Sequence, residues 1–294
     1  MRVNEQQVVN DLLYSLGQDR QSIDQLQEQI SSGKVVNTPS DNPTLNQRLM
    51  TLQNQINQNA TYTDNTQYAA SFLGMQESSL GSAVTTLTNI KTMLLSAAND
   101  SNSQDQPNYG TQLGEYITQL LGLANTKFGD KYIFGGTQTT SQPFFMNSNG
   151  TGVSANPNGV GGALKVDVGF QISEQYNVTG QEAFSGGQMF NNLIAIQNKL
   201  AGGTPPSQAD LTTVNDYLNS MIGSNAKAGA MLNRVQLIQS QLSSQTQSLQ
   251  TTMSNIGDTD VATAVIQMQQ QQTTLNAALQ TGAKIVQLSL VNFL

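Results

Sequence analysis

The chain contains no cysteine and no histidine. Without cysteine there is no disulfide, no thiolate metal site and no thiol nucleophile; without histidine the usual neutral-pH base and commonest metal ligand is missing. Most enzyme chemistry thereby loses its first-choice residues. Charge is scarce too: only 11% of residues are charged, and 12 Lys plus Arg against 19 Asp plus Glu give a net charge of -7. Nucleic-acid binding needs clustered cations to neutralise phosphates, and no basic stripe is present. No run of about 18 apolar residues occurs, so no transmembrane helix is expected. The N-terminus lacks the basic and apolar regions of a cleaved signal peptide. These signals alone point to the cytoplasm, although a protein exported by a machine that reads uncleaved N-terminal sequence would look the same.

What is present is polar without being charged. The 294 residues suffice for one large or two to three small domains with a sizeable core, yet only 37% are apolar. Gln, Asn, Ser and Thr stand where most soluble proteins use Lys and Glu. Both ends are heptad ribbons. Val9, Leu16, Ile23 and Ile30 recur every seven residues, with Leu12, Asp19 and Leu26 between them. Near the finish Val265, Gln272, Leu279, Val286 and Phe293 form one column, and Val261, Met268, Leu275, Gly282 and Ser289 the other. Between Val261 and Leu294 the one charged residue is Lys284, and Gln267 and Gln269 to Gln272 supply polarity. Such a surface suits a helix packed against other chains on several sides.

After Ile30 the stretch SSGKVVNTPSDNP ends the first helix: Gly33 suits a left-handed C-cap, while Pro39 and Pro43 forbid continuation. Asp41 or Asn42 can cap a second helix with Pro43 in its first turn. Its seam runs through Leu45, Leu49, Leu52 and Ile56 to Ala70, Leu73, Leu80, Val84, Leu87 and Leu94. Unbroken, it would be a helix of roughly 55 residues, about 80 Å at 1.5 Å per residue; Gly74 and Gly81 weaken it and leave a break near its middle as the alternative. Residues 97–108 read as a loop, followed by an amphipathic helix ending near Phe128 with Gly129 as its stop. The period then changes. KYIFGGTQT, 131–139, reads as a short strand and a Gly-Gly turn, and Leu164, Val166, Val168, Phe170 and Ile172 alternate as one strand. With several Asn-Gly and Gly-Gly turns between, residues 131 to about 185 are expected to form an antiparallel β module. Helical pattern returns at Met189 to Leu200, at Leu211 to Ile222, and from about 225 to 256, before Asp258 or Asp260 caps the terminal helix.

This nearly palindromic order predicts a mainly α fold with a β insertion. A long antiparallel helical coiled-coil rod is formed by both termini, and a small antiparallel β domain lies in the middle. Residues 1–31 should lie beside 261–294, and 44–97 beside 225–256. The expected division is a terminal helical core domain of 1–40 plus 257–294, a helical rod domain of 41–140 plus 186–256, and an outward β insertion of 141–185.

SSGKVVNTPSDNP after a heptad helix, and the ending LNAALQTGAKIVQLSLVNFL, resemble the corresponding parts of the flagellin superfamily, the bacterial flagellar axial proteins. NTKFGDKYIFGGTQT, 125–139, is the most specific segment, and its Y-I-F-G-G-T form is similar to the hook-filament junction members of that superfamily. NVTGQEAF, 177–184, resembles a segment of their middle domain. The resemblance covers residues 1 to about 140 and about 225 to 294. It implies a structural adaptor, not an enzyme, with no cofactor or metal. The implied partners are hook-associated protein 1 on the hook side, flagellin on the filament side, further copies in a ring or helical layer, and a flagellar export chaperone, with neither nucleic acid nor membrane bound. It also implies an extracellular location in the flagellum, reached through the flagellar type III secretion apparatus without a cleaved signal peptide. The assembly interface then falls on Val9, Leu12, Leu16, Ile23, Leu26, Ile30, Val265, Met268, Leu275, Leu279, Val286, Phe293 and Leu294. Flagellin itself, the filament subunit, is the alternative. An enzyme would have to rest on Asp258 with Asp260 or on Gly135-Gly136 as a phosphate cradle. The aspartates sit where a helix needs a cap, and FGGT lacks the Lys and spacing of a P-loop.

Overall fold

The computed structural model describes residues 2–100, 102–147 and 149–291. Seven α-helices and six short strands follow in the order α1 (Arg2–Ser32), α2 (Pro43–Asn99), α3 (Gln106–Ala124), β1 (Lys127–Phe128), β2 (Lys131–Tyr132), β3 (Phe144–Met146), β4 (Val153–Ala155), β5 (Lys165–Gly169), β6 (Ile172–Gln175), α4 (Gly180–Phe184), α5 (Gln188–Ala201), α6 (Gln208–Gly257) and α7 (Val261–Val291) among the described residues. The chain divides into unit 1, residues 1–58 with 245–294, and unit 2, residues 59–244.

Local chemistry sets the helix ends. Gly33, with φ of 69°, closes α1 as its N–H donates to the Gln29 carbonyl at 2.8 Å. Asn42 Oδ1 accepts the Leu45 N–H at 3.0 Å and caps α2, with Pro43 at its first position. Asp41 works one residue earlier, its carboxylate accepting from the backbone of Asn37 and Thr38 and from the Thr38 hydroxyl. Asp260 caps α7 by accepting the N–H groups of Ala262 and Thr263.

Of the two alternatives for α2 the unbroken one holds: it runs for 57 residues, about 85 Å at 1.5 Å per residue. Gly74 and Gly81 cost about 1 kcal/mol each, whereas Leu73, Leu80, Leu87 and Leu94 are wholly buried at roughly 1.5–3 kcal/mol each. Burial wins. For the same reason α6 passes through 222–225 as one helix, with Val214, Met221, Ala228, Val235 and Leu242 buried at heptad spacing. Within unit 2, α2 and α6 run antiparallel: Lys91 Nζ donates to Asn215 Oδ1 at 2.7 Å and Gln239 Nε2 to Gln67 Oε1 at 2.6 Å. The expected loop at 97–108 is shorter, since α2 continues to Asn99 and α3 starts at Gln106, whose buried amide donates to the Ala97 carbonyl at 2.9 Å.

The middle of the chain holds three antiparallel two-stranded sheets. The run from Leu164 to Ile172 is not one strand. It turns at Phe170-Gln171, with Gln171 at φ 58°, so that β5 and β6 pair as a hairpin with Lys165 opposite Gln175. Likewise α3 stops at Ala124, and Phe128 and Gly129 belong to the β1–β2 hairpin. Phe134, Phe144, Phe184 and Phe190 pack ring on ring at 5.1–5.7 Å and join α2, α3, α5 and α6 in one core.

One glycine pair locks this region. Gly136 sits at φ 56°, and a Cβ there would overlap the Gly161 carbonyl oxygen, to which Thr137 N–H donates at 3.2 Å. Gln76 of α2 adds a polar pin. Wholly buried, it donates through Nε2 to the carbonyls of Ile133 and Val178, and its Oε1 accepts the Val178 N–H at 2.9 Å.

Candidate assembly surface

In unit 1 the two terminal helices pair antiparallel, fixed at one end by a clasp. Lys34 and Asp258 form a β-bridge: Val35 N–H donates to the Gly257 carbonyl at 2.8 Å and Thr259 N–H to the Gly33 carbonyl at 2.9 Å. Lys34 Nζ lies 2.6 Å from Asp258 Oδ1, and Ser254 donates to the other carboxylate oxygen. Lys34 beside it, then Ser254, hold the Asp258 carboxyl below its ordinary value. At the far end Leu12 Cδ2 lies 2.6 Å from where a Cβ on Gly282 would stand, so the leucine tip seats on the bare glycine backbone of α7.

On α1, Val9, Leu12, Leu16, Ile23, Leu26 and Ile30 are half-buried, as are Met268 and Leu275 on α7. Val265 and Leu279 are exposed, at 38% and 43%. Val286 lies within α7, whereas Phe293 and Leu294 lie outside the described residues. The α7 seam combines the Met268–Leu275–Gly282 column with Ala264, Gln271 and Ala278, buried or half-buried. Sequence reading passed Ala264 and Ala278 over because it weighted large apolar side chains, whereas close helix packing takes the small ones. It also missed Val8, Leu13, Tyr14 and Ile266, which are exposed at 45%, 62%, 71% and 59%. Their signal was available: apolar residues lying off the heptad columns.

The surface has no acid-base apparatus at the positions an enzyme would need. The Asp258 carboxylate is held in the clasp and that of Asp260 in its cap, where the Thr263 hydroxyl and N–H keep it below its ordinary value. The Gly135-Gly136 turn is filled by the Gly161 backbone, leaving no room for a phosphate. Among the described residues no group of three or more His, Cys, Asp or Glu side chains could hold a metal ion, and no helix is long and apolar enough to cross a membrane.

Paired terminal helices and a β-containing middle are the architecture of a known class. Residues 3–139 match the bacterial flagellin N-terminal helical region and residues 211–294 the bacterial flagellin C-terminal helical region. The chain belongs to the flagellin family, whose members are structural proteins of the flagellum, not enzymes. Within that family it is similar to flagellar hook-associated protein 3. It is 28% identical over 293 residues to that protein from Escherichia coli strain K12, covering 90% of each chain. With the protein of Salmonella typhimurium strain LT2 identity is 23% over 312 residues, covering 99% of this chain and 98% of the relative. A Vibrio parahaemolyticus structure described as flagellar hook-associated shares the fold, with a TM-score of 0.66 at 21% identity over 74% of this chain and all of that one.

Proposed function

We propose that the chain is the adaptor between hook and filament. It would bind hook-associated protein 1 on the hook side and flagellin on the filament side, and associate with its own copies in a ring or helical layer through coiled-coil contacts of its terminal helices. The observation that carries this reading is the thinness of unit 1. Among its described residues the buried apolar side chains are Ile56 and Ala264 alone, while Leu13, Tyr14, Val265 and Leu279 are exposed. Exposed apolar surface, on α7 with Lys284 as its one charged residue, favours burial against other chains. Ordering these helices alone would cost conformational entropy with little to offset it, so folding coupled to assembly is the economical route.

On this reading residues 1–40 with 257–294 form the inner layer, 41–140 with 186–256 carry it, and 141–185 face outward. Export of a chain whose ends order late fits passage through the flagellar type III apparatus, with a chaperone covering the C-terminal helix until delivery. The same helices would serve a filament subunit, which is the alternative. Deleting the gene, examining cells by electron microscopy and assaying the medium for flagellin separates the two. Completed hooks without filaments, with abundant unpolymerised flagellin outside, are expected. Bare hooks with no flagellin outside would make the chain the filament subunit, and normal filaments would overturn both readings.

A further inference from the structure

We infer that the clasp at Lys34 and Asp258 sets the register of α1 against α7, and with it which exposed side chains of the two terminal helices lie side by side. This rests on the adaptor reading and specifies how its assembly surface is put together. Two features make such a device necessary. The seam repeats every seven residues, so sliding one helix by a heptad, about 10 Å, exchanges one apolar pair for another. Leu12, which faces Gly282, would then face Leu275 or Ser289. Asp19 and Gln271, the polar members of the seam, make no hydrogen bond with each other among the described residues.

Connectivity does not forbid the slide. Val35 N–H binds the Gly257 carbonyl, and Leu49 Cδ2 lies 2.9 Å from where a Cβ on Gly257 would stand. Residues 36–48 therefore leave Gly257 and return to it. The C-terminal arm has no such excursion, since α6 ends at Gly257 and α7 begins at Val261. Asp41 ties the excursion to its own backbone at Asn37 and Thr38, not to α7. It is slack that a shifted α1 could take up.

The clasp breaks this degeneracy because nothing in the heptads repeats it. It joins two backbone hydrogen bonds to the one ion pair found among the described residues of unit 1, and Gln29 Nε2 ties it to α1 by donating to the Val35 carbonyl at 2.9 Å. The seat of Leu12 on Gly282 is the one size-matched contact at the other end, and the test removes it.

Because the chain has no cysteine, introduced pairs report alone. Leu12→Cys with Gly282→Cys reports the register described here; Leu12 Cγ lies 3.7 Å from a Cβ at position 282, close enough for a disulfide. Leu12→Cys with Leu275→Cys reports a slide of one heptad. In the purified full-length chain the first pair should oxidise to an intramolecular disulfide and the second stay reduced. Lys34→Glu sets two carboxylates face to face and should raise the ratio of second to first cross-link up to about fivefold, the upper end of the scale set by losing an exposed ion pair. Asp258→Lys in the same chain should restore the parent ratio. Val35→Pro, which deletes the N–H that binds Gly257, should shift the ratio with no change of charge. Unchanged ratios in Lys34→Glu and Val35→Pro overturn the inference, as does a parent chain in which neither pair cross-links. None of these outcomes depends on where the protein sits in the flagellum, so the deletion phenotype tests the adaptor reading separately.

Discussion

Replacing Gln76 with leucine should be among the most damaging single changes in unit 2. The side chain is wholly buried, and its amide serves both backbone groups of Val178 as a neighbouring strand would, with the Ile133 carbonyl as a third partner. Gln76→Leu keeps nearly the same volume, so no large cavity opens. What remains is three backbone polar groups robbed of their partner inside the protein. An orphaned buried group costs about 1–3 kcal/mol, and the lower half of that range for three of them gives about 3–6 kcal/mol. At roughly 2–4 °C per kcal/mol for a body of this size, melting should fall by about 10 °C. Calorimetry of the full chain reads the shift, and hydrogen exchange at the Val178 amide locates it. A melting temperature within about 2 °C of the parent, with Val178 still protected, would refute the argument that one amide holds the β region to α2.

Gly136→Ala must place a side chain at φ 56° and against the Gly161 carbonyl, and should cost about 2 kcal/mol or more by denaturant unfolding. Asp41, Asp258 and Asp260 are all held below their ordinary values, by Thr38, Lys34 and Thr263 first in turn. The unfolded chain then binds more protons, so their stabilisation is complete above the usual carboxylate range and lost as pH falls from about 4. Asp258→Asn should flatten that acid limb in a pH series of thermal melts. Leu16→Asp or Leu279→Asp should abolish incorporation into flagella while circular dichroism and proteolysis show the β region intact; normal filaments in either variant would count against assembly through the terminal helices.

Where local chemistry decides, sequence and structure agree. Gly33, Asn42 with Pro43, and Asp260 mark helix ends through their own backbone preferences or side-chain acceptors, and each does so in the fold. Where tertiary packing decides, they part. Gly74 and Gly81 look like weak points until the buried leucines beside them are counted. Phe170-Gln171 carries no glycine, proline or asparagine to mark the turn, so an apparent strand conceals a hairpin. Gln76 is one glutamine among many in a glutamine-rich chain, and only burial distinguishes it. On α7 the columns at 265 and 279 and at 264 and 278 are both heptads, and nothing short of the partner helix shows that the smaller residues face inward. The clasp joins positions 34 and 258, which no local pattern connects.

The joint between Gly136 and Gly161 makes the intervening chain a closed loop tied at its neck. Inside it, Asn147 N–H donates to the Gly152 carbonyl at 2.8 Å, and Asn149, Gly150 and Thr151 beyond that bond are exposed. Lengthening a loop that is already closed costs little, only about 0.6 kcal/mol for each doubling. The tip near Asn149-Gly150 is therefore a port: a place where sequence can be added, by selection or by an engineer fusing a tag or a whole domain, while the neck and the terminal helices keep their geometry.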